Sequence, residues 1–291
     1  MRDTWGEKLF YGFNYTILTV AGLSCLLPLV HLISLSLSDS QAVASGIVSL
    51  WPVGWSVDSF KVLFAGTNMT EAFQNSVVLT LMGVVLSMVF TIAAAYPLSR
   101  HYFIGARFFT LFIVFTMIFG GGLIPTYLVV KALGLINTYG AVWFTGLVSA
   151  YNMLVMMTFF KNIPPELDEA AQIDGCGEWR YLVQIVLPLS VPVIAALSLF
   201  YGVGYWNAFF NVLIYINDTS KYNMAVLVQQ MVQSQSLLAE LNQSSSSDQI
   251  ALTPEAIKAS GIITMVMPML VVYPFVQKHF VKGIMLGAIK G

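Results

Sequence analysis

Residues 161–192 read KNIPPELDEAAQIDGCGEWRYLVQIVLPLSVP, the one long polar interval between hydrophobic runs whose internal order suggests built structure. Its acids crowd together at Glu166, Asp168, Glu169, Asp174 and Glu178. Pro164-Pro165 suits the opening of a helix, because proline is tolerated in the first turn and early carboxylates complement the positive end of the dipole. Gly175 closes that helix. Leu167, Ala170, Ala171 and Asp174 fall at i, i+3, i+4 and i+7, which predicts a small-sided face open to close approach. A second helix follows, with Glu178 in its first turn and an apolar stripe of Trp179, Leu182, Val183 and Val186. Pro188 limits its end. The prediction is a surface helix pair.

Composition says what surrounds that pair. Apolar residues make up 57% of the 291 and charged residues 9%, with mean hydropathy +0.78. An average soluble domain carries roughly 25% charged residues, so this composition belongs to an integral membrane protein. A net charge of -1 with no lysine- or arginine-rich block gives no basis for nucleic-acid binding. Cys25 and Cys176 are too far apart in sequence and setting to suggest a disulfide, and neither belongs to a metal-ligand cluster. The N-terminal hydrophobic run lacks a small-residue cleavage site and is predicted to be a retained span.

Six hydrophobic segments reach the roughly 20 residues that a bilayer core requires. They run over about residues 9–37, 72–98, 108–130, 139–160, 190–216 and 257–280. The fold class predicted is therefore all-α, a polytopic membrane protein of one transmembrane domain over residues 1–291. Pro28 is expected to bend the first span, and His31 within it reads as a hydrogen-bonded packing residue. Trp51, Pro52 and Trp55 in the segment that follows suggest an interfacial helix lying against lipid headgroups. The second span ends Ala93-Ala94-Ala95-Tyr96-Pro97-Leu98-Ser99-Arg100, whose small side chains favour tight helix contact. Gly120-Gly121-Gly122 and Pro125 interrupt the third, either as a break beside a substrate path or as a packing notch.

The fifth span is rich in polar and aromatic groups. Tyr201, Tyr205, Trp206, Asn207, Asn211 and Tyr215 would be penalised by lipid, so part of this span must face something else. Tyr205, Trp206, Asn207 and Asn211, with Tyr127 of the third span, are the candidate substrate-path residues. Residues 218–255 form a polar insertion with a short helix expected from about residue 224 to 241 and a flexible Ser244–Ser247 run beyond it. Arg2, Lys8, Arg100, Arg107, Lys161, Arg180, Lys278, Lys282 and Lys290 fall on one side of the predicted spans, against Lys61, Lys131, Lys221 and Lys258 on the other. The richer face, with both termini and the helix pair, is expected in the cytoplasm.

Glu169-Ala170-Ala171-x-x-Asp174-Gly175, then Leu187-Pro188 and Pro192, resembles the coupling loop of binding-protein-dependent ABC importer permeases. The end of the second span, Tyr205-Trp206-Asn207 and the tail after Phe280 are similar to the carbohydrate-type, maltose-transporter-like branch. The Gly120 to Tyr127 stretch points within it to oligosaccharide or polysaccharide relatives. The resemblance implies a type I ABC importer permease fold in a bacterial cytoplasmic membrane, with coupling helices between spans four and five. It implies that Glu169, Ala170, Ala171, Asp174 and Gly175 meet an ATPase, with Glu169 as charged anchor. The implied assembly holds a second, different permease chain, two ATPase subunits and an extracytoplasmic sugar-binding protein.

This chain has no G-x-x-x-x-G-K-[ST] phosphate loop, so the ATP and Mg would be used by the partner ATPase and no cofactor or metal is expected here. H-E-x-x-H and G-x-S-x-G are missing too, and the reading is of a non-enzyme. A secondary, ion-coupled sugar transporter would also use broken helices. It accounts poorly for the acidic helix pair, and all 14 acids lie in loops or at span ends. A purely structural membrane subunit would leave the polar fifth span unexplained.

Overall fold

The computed structural model describes residues 4–233 and 253–288, and among these every regular element is helical. Three helices among the described residues are long and apolar enough to cross a bilayer unbroken. They are α1 (Trp5–Ser36), α4 (Met69–Ser99) and the Pro254–Pro274 part of the last helix, with mean hydropathy of 2.1, 2.5 and 1.7. They correspond to the predicted first, second and sixth spans. α1 opens on a capping box, in which Glu7 N–H donates to Thr4 Oγ1 and the Glu7 carboxylate accepts from Thr4 N–H at 2.6 Å. Large apolar side chains from Trp5 to Leu27 are exposed around α1, so its partners are lipid or another chain.

The remaining apolar length lies in helices that bend. α5 (Ala106–Ile118) and α6 (Leu123–Ala132) meet at 115°, as the Gly120–Gly122 run leads one to expect. Gly122 sits at φ +80°, a conformation glycine adopts without a steric penalty. No other atoms of the chain approach the space a Cβ would fill at Gly120 or Gly121, so those two glycines form no packing notch among the described residues. α7 (Tyr139–Thr145) and α8 (Ala150–Lys161) meet at 54°. α9 (Pro165–Ile173) and α10 (Glu178–Leu189) are the polar helix pair, and α10 turns by 79° at Ser190 into α11 (Val191–Trp206). The predicted fifth span is thus interrupted. It stops at Asn207, and α12 (Phe209–Tyr215) starts afresh after Ala208.

The chain divides into two compact units. One takes the described residues within Met1–Thr70 and Leu227–Met267. In it, α2 (Ser40–Ala44) and α3 (Asp58–Gly66) flank the tryptophans expected on an interfacial helix. Trp51 and Trp55 are 80% and 75% exposed but lie on irregular backbone. Asp39 N–H donates to Val53 C=O and Ser56 N–H to Leu37 C=O, so this stretch pairs with residues 37–39 in place of forming a helix. His31 Nδ1 lies 2.7 Å from Ser49 C=O, a packing role.

The other unit takes Glu71–Val226 and the described residues after Pro268. Its axis is the face of α4 made by Leu79, Gly83, Ser87, Thr91 and Ala95, one residue every four, of which all but Gly83 are fully buried side chains. Gly83 is required there. A Cβ at that position would sit 2.6 Å from the Tyr205 ring. In the first turns of α4, Asn75 Nδ2 donates to the Ser220 and Tyr222 carbonyls, which fixes the beginning of the polar insertion. The short helix expected there is α13 (Met224–Gln233), and Met224 and Val226 at its start are fully buried. The Ser244–Ser247 run lies outside the described residues. The chain's last described helix is α14 (Pro254–Ala288).

Candidate functional site

α9 and α10 join through a left-handed turn. Asp174 is the last half-helical residue of α9, Gly175 takes φ +70°, Gly175 N–H donates to Gln172 C=O at 3.0 Å, and Cys176 N–H to Ala171 C=O at 2.8 Å. These two bonds are the Schellman arrangement, which closes a helix through a residue with positive φ. The predicted small-sided face is split, however. Ala171 alone is buried in the core, whereas Leu167, Ala170 and Asp174 are exposed. The reason is the seat of α9, which turns Asp168 and Ala171 inward. Glu166, Glu169, Ala170 and Ile173 point out along one stripe, and Ile173 is 86% exposed.

The stripe expected on α10 is also redistributed. Tyr181, Leu182 and Val186 are buried, but Trp179 is 76% exposed and Val183 is half exposed. Residues Leu182–Val186 form a π turn. Pro188 lacks a donor and its ring crowds the carbonyl four residues back, and the wider turn accommodates it while shifting which side chains face inward. The outward surface of the pair therefore combines acids with two large apolar groups, Ile173 and Trp179. The simple 3.6-residue period missed both.

A clamp holds the pair to the end of α4. Arg100 Nη1 donates to Asp168 Oδ2 at 3.4 Å and Nη2 to Tyr96 Oη at 2.6 Å, and Tyr96 Oη donates to Glu178 Oε2 at 2.6 Å. The guanidinium also lies 4.5 Å from the Tyr96 ring centre and 4.6 Å from that of Tyr181, within cation–π reach. One arginine thus touches both helices of the pair. Burial raises the Glu178 pKa, but the Tyr102 and Tyr96 hydroxyls and the Arg100 charge outweigh it and hold the carboxyl below the ordinary glutamate range. Sequence reading noted Tyr96 and Arg100 only as the end of a span. The missed signal was a lone arginine closing an apolar run, with acids to answer it at 168 and 178.

A second feature is a cavity of about 440 Å³ at the bend between α7 and α8, whose mostly apolar wall carries polar groups from Ser149, Asn152, Tyr201, Tyr205 and Asn211 beside Gly146. Bending a helix frees backbone groups that must find partners away from water. Tyr201 and Tyr205 supply them. Ser149 N–H donates to Tyr201 Oη at 2.9 Å, and Tyr205 Oη donates to Trp143 C=O at 3.3 Å. Behind the cavity the same hydroxyls meet Thr91 Oγ1 at 2.7 Å and Ser87 Oγ at 2.9 Å on α4.

The expected path residues are therefore not one group. Tyr205 and Asn211 line the cavity, and the Asn211 amide has no hydrogen-bond partner among the described residues. Trp206 is buried against Phe73, with ring centres 6.1 Å apart. Asn207 is exposed and donates back to Val203 C=O at 3.0 Å, where it ends α11. Tyr127 stacks on Tyr215 at 6.2 Å, in a cluster with Val130 and Ala141. Sequence reading missed Ser149 and Asn152 as cavity groups, although an asparagine within an apolar run was visible.

The family model described as "Binding-protein-dependent transport system inner membrane component" matches residues 63–286, which take in the helix pair, the clamp and the cavity. The chain belongs to that family. This inner membrane component is 39% identical to the polygalacturonan/rhamnogalacturonan transport system permease protein YtcP of Bacillus subtilis (strain 168), with 100% of each chain covered. It is 36% identical to the protein LplC of the same organism, covering 100% of this chain and 98% of that one. Among solved structures, a chain of a bacterial ABC transporter involved in the import of the acidic polysaccharide alginate aligns with a TM-score of 0.88 at 26% identity. That alignment covers 96% of this chain and 99% of the other. The permease thus has the all-α ABC-permease fold that the resemblance implied.

Proposed function

We propose that this chain is the permease subunit of an ATP-driven, binding-protein-dependent importer that moves oligosaccharides or polysaccharide fragments inward by alternating access. The observation that carries the reading is the α9–α10 pair, turned outward with Glu169 and Ile173 and clamped by Arg100 to a membrane helix. The family's dependence on a binding protein, and the sugar polymers named for the relatives, support the substrate class. α5 with α6, α7 with α8, and α11 with α12 each read as one crossing, which with the three unbroken helices gives six, and α10 stays outside the membrane with α9. The excess of basic residues on the α9–α10 side supports a cytoplasmic pair and termini. ATP and Mg are used by two separate ATPase subunits, a second and different permease chain completes the pore, and the binding protein meets the opposite face. The chain itself is not an enzyme. Purifying it with its neighbours tests this, because failure to recover an ATPase with the chain in a transport-competent complex would remove the reading.

Gly175 gives a graded test. No atoms crowd the space for a Cβ there, so substitutions act through backbone conformation alone. A left-handed conformation costs a residue with a Cβ about 1–2 kcal/mol, less for asparagine and more when the side chain is β-branched. Uptake of labelled oligosaccharide is expected to fall in the order Gly, Asn, Ala, Val, with Gly175→Val reduced by about tenfold or more. Equal uptake by the asparagine and valine variants would show that the turn does not matter.

Sugar hydroxyls pair well with amides and phenols, and sugar ring faces pack on aromatics. Asn211→Ala is therefore expected to lower uptake severalfold, a net loss of roughly 1 kcal/mol for one hydrogen bond, with the assembly intact. Asn207→Ala, which removes only a bond within α11, is expected to leave uptake near the parental value. A larger loss at Asn207 than at Asn211 would move the path away from the cavity.

A further inference from the structure

Lined in part by the clamp residues Tyr96, Arg100 and Asp168 is a larger hollow of about 690 Å³, where the end of α4, the start of α5, the end of α8 and α9 converge. Its lining carries Arg100, His101, Arg107 and Lys161, against a single carboxylate, Asp168, which Arg100 already engages. Arg107 and Lys161 are exposed and make no hydrogen bond or ion pair among the described residues. Arg100 Nε is buried without a hydrogen-bond partner, 4.0 Å from Glu178 Oε2. The hollow therefore holds surplus positive charge. Its wall is apolar. Leu111 lines it and continues along α5 into Phe108, Phe112 and Phe115, all more than half exposed.

Cations at the level where three span ends meet, backed by an exposed apolar strip rising along one span, match a phosphate attached to an acyl chain. They match a free anion less well, because a free anion has no use for the strip. We propose that this hollow binds the phosphate headgroup of an anionic phospholipid, with Arg107 and Lys161 on the phosphate and the α5 strip along an acyl chain. Basic pockets beside membrane helices bind anionic headgroups in this manner. Because Pro164, Pro165 and Asp168 of the helix pair also line the hollow, the bound lipid would brace the pair against the span ends. The inference rests on the proposed cytoplasmic side only for the choice of leaflet.

The assembled transporter, exchanged into detergent, is titrated with phosphatidylglycerol, phosphatidylcholine or inorganic phosphate and read by native mass spectrometry. The parent should retain phosphatidylglycerol in preference to phosphatidylcholine. Arg107→Gln with Lys161→Gln should weaken that binding about 30-fold, from roughly 1 kcal/mol per cation. Arg107→Lys with Lys161→Arg should keep it, which guards against a variant that merely misfolds. Leu111→Gln should weaken lipid binding about fivefold and leave phosphate unaffected. Equal retention by parent and glutamine variant would overturn the proposal. Displacement of the lipid by inorganic phosphate at comparable concentration would also overturn it in favour of a free-anion site, and a cross-link from Lys161 to an ATPase carboxylate would give the hollow to the ATPase. A cysteine at Asn162 labelled only from outside the cell would overturn the orientation and leave the binding result standing.

Discussion

Glu169→Lys is expected to abolish sugar uptake while the chain still inserts in the membrane, because the ATPase no longer stays bound. Glu169 is exposed at the middle of the outward stripe Glu166, Glu169, Ala170 and Ile173, and it makes no hydrogen bond or ion pair within the described chain. Its charge is therefore free to pair with another subunit. Small Ala170 beside it lets a partner backbone approach, and Ile173 and Trp179 offer apolar anchors at either end. An interface with a buried charge at its centre, large apolar groups around it and exposed acids at its rim concentrates binding energy in a few residues. Loss of one hydrogen-bonded charge in such a setting costs about 2–5 kcal/mol, a weakening of roughly 30-fold to several thousandfold. Glu166→Lys, nearer the start of α9, is the control. A rim charge is worth about 1 kcal/mol or less, so that variant should retain the ATPase at low salt. The measurement is recovery of ATPase with the purified chain, alongside uptake. Parental values of both for Glu169→Lys would end the coupling-loop reading.

The three unbroken apolar helices and the break at Gly120–Gly122 were legible because both depend on local composition, and a run of glycines weakens a helix wherever it lies. The bend at residues 146–149 was not. It is held by Tyr201 and Tyr205 from a helix more than 50 residues later, and nothing within the fourth span advertises it except the ordinary-looking Gly146 and Ser149. The polar fifth span was read correctly as needing something besides lipid. Part of what it faces is the opened backbone of the fourth span, and only Tyr205 and Asn211 of the five expected path residues reach the cavity. Gly175 was legible because, as at Gly122, a positive φ is a property of one residue. The outward stripe of α9 was misassigned because i, i+3, i+4 periodicity gives a face without saying which way it points. Asp168 decides that direction through Arg100, a partner 68 positions away.

Arg100→Leu is expected to separate ATP hydrolysis from transport. The variant leaves the outward stripe untouched, so the ATPase should still be recovered with the chain. What it removes is the connection between that docked surface and α4, the helix whose Ser87 and Thr91 meet the cavity tyrosines. The Arg100 and Asp168 side chains are only 11% and 13% exposed, so loss of the arginine leaves a mostly buried carboxylate without its cation. Breaking such a pair costs about 3 kcal/mol or more. Binding-protein-stimulated hydrolysis should then proceed with uptake reduced by about a hundredfold, the equivalent of that energy. Arg100→Lys should fall between, because an ammonium supplies charge but lacks the planar fork that reaches Asp168 and Tyr96 together. Acid should act on the same connection. Glu178 has a folded-state pKa below its ordinary range, so its contribution is present above that range and is lost as pH falls through the folded value. Without Arg100 that folded value rises, and loss of coupling on acidification should begin at a higher pH in Arg100→Leu than in the parent. The coupling ratio, sugar moved per ATP hydrolysed, reads all three effects. A parental ratio in Arg100→Leu would sink the clamp, and so would release of the ATPase as complete as in Glu169→Lys, since that would make Arg100 a support for docking with no part in transmitting motion.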